Sequence, residues 1–158
     1  PTPARIREQI FSWLRPIKED CNCLDLFAGT GSLGIEALSN GACKVTLVEQ
    51  NQDIYNHLYL NCTDLNIFND VQILKQSAEN YIRRTKEEIF DLIFLDPPYD
   101  KNYLEKLLPK IIEDFSVRGT LIYIEESNFN FSEFDSLLKL KNETTSGNSY
   151  GRLFEVIK

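Results

Sequence analysis

The 158-residue chain has no methionine, one histidine (His57) and one tryptophan (Trp13), and none of its four cysteines, Cys21, Cys23, Cys43 and Cys62, falls in a C-x-x-C pair. A lone histidine and dispersed thiols give neither the ligand number nor the spacing of a zinc site, so no metal is expected. The thiols are expected to be buried and reduced, as in a cytosolic protein. Cys21 and Cys23, two apart, fit one face of a strand. His57 falls in a helical pattern and receives no chemistry. No apolar run approaches the roughly 20 residues that a membrane-spanning helix needs, and no basic-then-apolar leader opens the chain. A cytoplasmic protein without membrane contact is therefore expected. Because the chain starts at Pro1 and lacks methionine, a further segment upstream is expected as well.

Basic residues are also in short supply: 17 Lys and Arg stand against 24 Asp and Glu, for a formal net charge of −7. This excludes a protein that simply coats nucleic acid, since phosphate neutralisation by Lys and Arg dominates such binding. The basic residues gather at the ends, with +3 over residues 1–18 and +2 over 139–158, leaving −12 between them. An acidic body with basic ends can steer a nucleic acid to one edge, although scattered surface charge gives the same count. Composition is otherwise globular, with 42% hydrophobic and 26% charged residues. The length suits a single domain over 1–158 with a real core. A monomer is expected, because no long apolar stripe is left over once the core is assigned.

What is present is an alternation of strand and helix signals. Thr2-Pro3 reads as an N-cap with proline at the first helical position, followed by Ile6, Ile10, Trp13 and Leu14 on one face up to Pro16. Residues 23–28 read as a strand, a glycine turn opens a helix ending at Asn40-Gly41, and 44–49 is a second strand. A helix over 52–65 places Ile54, Leu58, Cys62 and Leu65 on one side. A strand over 71–74, a helix over 78–85, a strand over 90–95, a helix over 104–112 and a strand over 120–124 follow. In the tail, 134–140 suggests a helix, 153–157 a final strand, and the Asn-, Ser- and Thr-rich stretches 127–133 and 142–149 read as loops. Alternation of this kind predicts an α/β sheet covered on both faces.

Two motifs carry chemistry. The first is Asp25-Leu26-Phe27-Ala28-Gly29-Thr30-Gly31-Ser32-Leu33-Gly34, in which Gly29, Gly31 and Gly34 spell G-x-G-x-x-G after the first strand. Glycine allows a sharp turn, close approach to a ligand and tight helix-on-sheet packing. Glu49, 20 residues beyond Gly29 at the end of the second strand, can accept hydrogen bonds from a ribose diol. Phe27, Ala28 and Thr30 in the loop, and Gln50 beside Glu49, extend the candidate cofactor-binding set. Asp25, a carboxylate in an otherwise apolar strand, needs partners, either the ammonium of a cofactor's methionine end or the loop's own amides. Alone, this motif fits NAD, FAD or S-adenosylmethionine.

The second motif, Asp96-Pro97-Pro98-Tyr99, closes the apolar run 90–95 and has no natural place in a hydride-transfer scheme. An exocyclic amine on a nucleobase is a poor nucleophile because its lone pair is delocalised into the ring. If its two N–H groups donate to the Asp96 carboxylate and the Pro97 carbonyl, the nitrogen can pyramidalise and aim its lone pair at a methyl group. Pro97 and Pro98 stiffen the backbone so that this carbonyl points outward. Tyr99 stacks on the base, a contact worth about 1 to 3 kcal/mol in nucleic-acid sites. Catalysis is then mainly proximity and in-line orientation, with Asp96 able to take up the released proton. The pair of motifs points to S-adenosylmethionine-dependent methylation of a base amine.

The chain also resembles the RsmD-type ribosomal RNA (guanine-N2) methyltransferases over nearly its whole length. The resemblance rests on Pro1-Thr2-Pro3-Ala4-Arg5-Ile6-Arg7-Glu8-Gln9-Ile10-Phe11, on the glycine motif extended through Ile35-Glu36-Ala37, on Val48-Glu49, on Asp96-Pro97-Pro98-Tyr99 and on Tyr150-Gly151. It implies a Rossmann-like, seven-stranded, mostly parallel sheet with helices on both faces and an antiparallel last strand, the class I methyltransferase fold. It implies that Ser77 and Ala78 flank the adenine, although members often carry an acidic residue where Gln76 or Ser77 stands here. It places Arg5 and Arg7 on the RNA side, and it implies a basic segment ahead of the Pro-Thr motif. The substrate implied is N2 of a guanine in ribosomal RNA, within the small subunit or an assembly intermediate. Methylation of adenine N6 or cytosine N4 in DNA shares the same clamp, and a non-catalytic cofactor- or RNA-binding module is the reading from outside enzymology.

Overall fold

The computed structural model describes residues 2–98 and 102–158. In chain order the elements are α1 (Ala4–Leu14), β1 (Asn22–Asp25), α2 (Ser32–Ser39), β2 (Lys44–Val48), α3 (Gln52–Leu65), β3 (Val71–Leu74), α4 (Ala78–Arg84), β4 (Leu92–Leu95), α5 (Tyr103–Asp114), β5 (Leu121–Glu126), β6 (Leu138–Ser146) and β7 (Ser149–Val156). One seven-stranded sheet runs in the order β3-β2-β1-β4-β5-β7-β6. The first five strands pair in parallel, and β7 runs antiparallel to both β5 and β6. This is the mostly parallel sheet with an antiparallel last strand that the resemblance implies.

Strand alternation divides the core into two layers. Leu24, Ile93, Leu95, Ile122 and Ile124 face α4 and α5. Cys23, Val45, Leu47, Phe94 and Tyr123 face α1, α2 and α3. Gly34 lets α2 lie directly on β2, because a Cβ there would collide with Leu47 and sit 3.1 Å from Val45. Of the thiols, Cys21, Cys23 and Cys62 are buried but Cys43 is exposed, at the turn into β2. The expectation of four buried thiols therefore holds for three. Among the described residues no His, Cys, Asp and Glu cluster is arranged to hold a metal, and no helix is long and apolar enough to cross a membrane.

Three element readings need correction. The cap of α1 is Pro3, whose carbonyl accepts from the Ile6 and Arg7 N–H groups at 3.0 Å; Thr2 makes no cap bond and is buried. On α3 only Leu58 and Cys62 are buried, whereas Ile54 and Leu65 stay exposed, because this helix lies toward the β3 edge, where the sheet ends. The tail holds no helix over 134–140 and no loop over 142–149. A 3₁₀ turn at Ser132–Phe134 leads into the β6–β7 hairpin, closed at Gly147 with φ +60°. β6 is an edge strand whose Lys139, Lys141 and Glu143 face solvent, so its polarity conceals a strand pattern.

Arg152 ties this hairpin to β5. Its guanidinium donates to Glu126 and to Glu143, each at 2.6 Å, and lies 4.4 Å from the Tyr150 ring centre. Glu126 is buried, with Oε2 unpartnered. Removing a cation from a buried carboxylate leaves its charge uncompensated. Arg152→Ala is expected to cost about 3 kcal/mol, read as a lower urea midpoint with an unchanged m-value. A midpoint within error of wild type would show that the pair does not anchor the hairpin.

Candidate active site

A cleft of about 620 Å³ opens at the carboxyl ends of β1, β2 and β4, where strand order reverses between β1 and β4. Open α/β sheets place their ligands at such a point. Beyond β1 the chain keeps bonding to its neighbours: the Leu26 N–H donates to the Phe94 carbonyl (3.3 Å) and the Ala28 N–H to the Val48 carbonyl (2.9 Å). The glycine loop then turns into α2 through left-handed Gly29 and Gly31, φ +56° and +87°. A Cβ on Gly29 would meet nothing within 4 Å, leaving its backbone open to the cleft; on Gly31 it would press on Leu58 at 2.5 Å and Ile35 at 2.9 Å. One motif thus divides its labour, with Gly29 facing the cleft and Gly31 and Gly34 seating α2.

Glu49 locks the loop. Its Oε1 accepts from the Gly29 N–H (2.9 Å) and its Oε2 from the Asn51 N–H (2.8 Å). Asn51 caps α3 by accepting from the Ile54 N–H at 3.0 Å. Each Glu49 oxygen keeps a lone pair for a further donor. Asp25 is buried, with one backbone bond from the Phe27 N–H at 3.3 Å. Burial pushes its carboxyl up to about 7, the Phe27 N–H lowers it, and Glu49 raises it further.

Asp96, Pro97 and Pro98 form the opposite wall. Burial, and then the neighbouring carboxylates Glu125 and Asp25, push Asp96 up to about 8. Glu125, at the end of β5, also lines the cleft and accepts from the Tyr123 hydroxyl at 3.0 Å.

Most of the expected cofactor residues meet here: Asp25, Phe27, Ala28, Gly29, Thr30, Glu49, Gln50 and Ala78 all line the cleft. Ser77 does not. Its hydroxyl accepts from the Asn80 N–H at 3.0 Å as the cap of α4, while Gln76 takes the place on the cleft wall. Arg5 is exposed and Arg7 half-buried on α1, both outside the cleft. Tyr99 lies outside the described residues. The sequence reading missed Thr2, Ser32, Asn51, Ile54 and Glu125, which also line the cleft. For Thr2 the signal points elsewhere, since it reads as a helix cap.

Sheet order and cleft position define the class I methyltransferase fold. An RNA methyltransferase from Salinibacter ruber, solved in complex with S-adenosyl-L-homocysteine, matches at a TM-score of 0.78 and 14% identity over 100% of this chain and 94% of that one, a likeness of fold. The Escherichia coli protein yhhF matches at a TM-score of 0.88 and 29% identity, covering 99% of this chain and 87% of its own. At the level of sequence, residues 1–154 match the family described as conserved hypothetical protein 95. The Haemophilus influenzae protein named ribosomal RNA small subunit methyltransferase D is 35% identical over 98% of this chain and 82% of its own length. The chain belongs to this RsmD family. It spans 66% and 63% of the length of the proteins of the same name from Buchnera aphidicola and Escherichia coli.

The state of Asp25 has a thermodynamic signature. Below its unfolded value of 3.8 the carboxyl is protonated in both folded and unfolded chains. As pH rises to about 7 the unfolded chain ionises and the folded one does not, so stability falls through that window and the loss persists above it. Relative to Asp25→Asn, the ligand-free wild type should lose stability on the order of 4 kcal/mol between these limits, measured by urea titration at several pH values. Parallel stability profiles for the two proteins would contradict a protonated, buried Asp25.

Proposed function

We propose that this chain is a single S-adenosylmethionine-dependent methyltransferase domain that modifies the exocyclic N2 of a guanine in small-subunit ribosomal RNA. The observation that carries the reading is the charge of the cleft. Asp25, Glu49, Asp96 and Glu125 line it, and among the described lining residues there is no Lys, Arg or His. A dinucleotide's pyrophosphate would be repelled by such a wall, whereas a ligand carrying a sulfonium and an ammonium group fits it. The names of the relatives and the ligand of the Salinibacter neighbour support the same class.

S-adenosylmethionine supplies, when bound, an electrophilic methyl group on sulfur. Every other task is assigned to this chain's own residues. Glu49 uses its free lone pairs to accept from a ribose diol while holding the Gly29 amide. Asp25 meets the ammonium, whose positive charge favours the ionised carboxylate that burial resists. Gln76 and Ala78 border the adenine. Across the cleft, the Asp96 carboxylate and the Pro97 carbonyl accept the two N–H bonds of the target amine and turn its lone pair toward the methyl. Tyr99 follows directly in sequence and is assigned to stacking on the base. Arg5 and Arg7, outside the cleft on α1, are assigned to the RNA backbone. The domain is proposed to act as a cytoplasmic monomer on the small subunit or an assembly intermediate.

The test uses labelled S-adenosylmethionine with small ribosomal subunits, or their RNA, from cells lacking the activity, followed by nucleoside identification. N2-methylguanosine is the expected product. Methyladenine or methylcytosine formed on DNA would move the reading to the DNA enzymes, and cofactor binding without transfer to a binding module. Asp96→Ala should lower transfer at least 100-fold, within the range of general acid–base and positioning effects, while calorimetry finds cofactor affinity changed less than about threefold. Retained turnover in that variant would end the clamp mechanism.

A further inference from the structure

The clamp as read from sequence gives Asp96 a free carboxylate, yet in the fold it has a carboxyl neighbour. β4 and β5 pair in register with Leu95 opposite Ile124, so the next residues, Asp96 and Glu125, emerge side by side at the strand ends and line the same cleft. Two carboxyl groups set side by side on one cleft wall avoid facing like charges by holding a proton between them. Glu125 is itself held from behind, since the buried Tyr123 hydroxyl donates to its Oε1 at 3.0 Å. Opposite Glu125 in β7 stands Gly151, where a Cβ would collide with the Tyr123 hydroxyl. The Tyr150-Gly151 pair of the family resemblance thus has a physical reason: it leaves room for the phenol that orients Glu125.

We infer that Glu125 is a positioning residue that shares one proton with Asp96, donating its O–H to one Asp96 oxygen so that the other stays ionised and aimed at the substrate amine. The inference deepens the proposed methyl transfer and rests on it. In the step itself the amine lone pair forms the new C–N bond, and the C–S bond breaks with its electron pair left on sulfur. The nitrogen then gives one N–H proton to the free Asp96 oxygen. The pair, which entered with one proton and one negative charge, leaves with two protons and none, and returns the second to water when product departs. Among the described residues, the charged and titratable groups facing Asp96 are Glu125 and Tyr123 from β5 and Asp25 from β1, with Glu49 behind it. Burial and the neighbouring carboxylates, Glu125 first, favour keeping the shared proton at neutral pH.

Glutamine at this position donates permanently where the shared proton donates only while it is bound. Wild-type kcat is expected to fall on the alkaline side as that proton is lost, and Glu125→Gln to abolish this alkaline limb while keeping kcat at neutral pH within about threefold. Glu125→Ala should lower kcat roughly 10- to 100-fold with little change in the cofactor KM, and glutamine but not alanine should rescue. Carboxyl-labelled ¹³C NMR of the protein without substrate supplies a readout independent of turnover. Asp96 and Glu125 should titrate as a coupled pair in wild type, and Asp96 alone, at lower pH, in Glu125→Gln. Coupled titration in a protein that methylates no RNA would leave the pair standing and overturn the assigned reaction. Methyl transfer whose pH profile and Asp96 titration are the same in wild type and Glu125→Gln would overturn the role given to Glu125.

Discussion

The parallel pairing of β1 with β4 is the constraint on which the rest of the molecule depends. Register here sets Asp25 opposite Phe94, and the Leu26 amide goes on bonding to Phe94 after the strand has ended. The glycine loop therefore starts from a fixed point, and Asp96 emerges beside it from the neighbouring strand. Had the chain after β1 continued on a single side of the sheet, the two motifs would not meet. The reversal of strand order between β1 and β4 brings them together, while hydrophobic layers on both faces supply the rigidity.

Holding four carboxylates around one cleft is unfavourable for the ligand-free protein. Burial and mutual repulsion raise Asp25 and Asp96 toward or past neutrality, so part of the charge is suppressed by protonation. A cationic ligand removes that conflict by favouring the ionised forms, so binding and ionisation are linked. The same environment makes Asp96 and Glu125 act as a unit. Stability surrendered by the empty site and its suitability for a positively charged ligand are two aspects of one arrangement.

How much of this is legible in sequence depends on whether a partner is near in the chain. Gly29 with Glu49, and the Asp96-Pro97-Pro98 corner, announce themselves through local spacing and strand-end position, and the parallel strands are plain from their apolar runs. Glu125 is invisible in that sense. It follows Leu121–Ile124 as an ordinary acid ending a strand, and its meaning comes only from lying beside Asp96 on another strand. Thr2 looked like a helix cap because Pro3 follows it, but the helix starts at the proline's carbonyl and Thr2 is left for the cleft. Family position assigns Ser77 to the adenine, yet its hydroxyl is committed to capping α4. The β6–β7 hairpin escapes a sequence reading because an edge strand facing water on its outer side does not alternate clearly in polarity.

The absence of any basic side chain among the cleft's described lining residues bears on how the site clears itself. On the proposed reaction the cofactor arrives with a cationic sulfur and departs as a neutral thioether, at a place where the charged side chains among the described lining residues are all carboxylates. Electrostatic attraction is therefore strongest before methyl transfer and weaker after it, with no arginine or lysine to grip the spent molecule. Such a wall distinguishes fuel from exhaust by charge rather than by shape. On the proposed reaction, this acidity favours exchange of the neutral thioether for a fresh cationic cofactor.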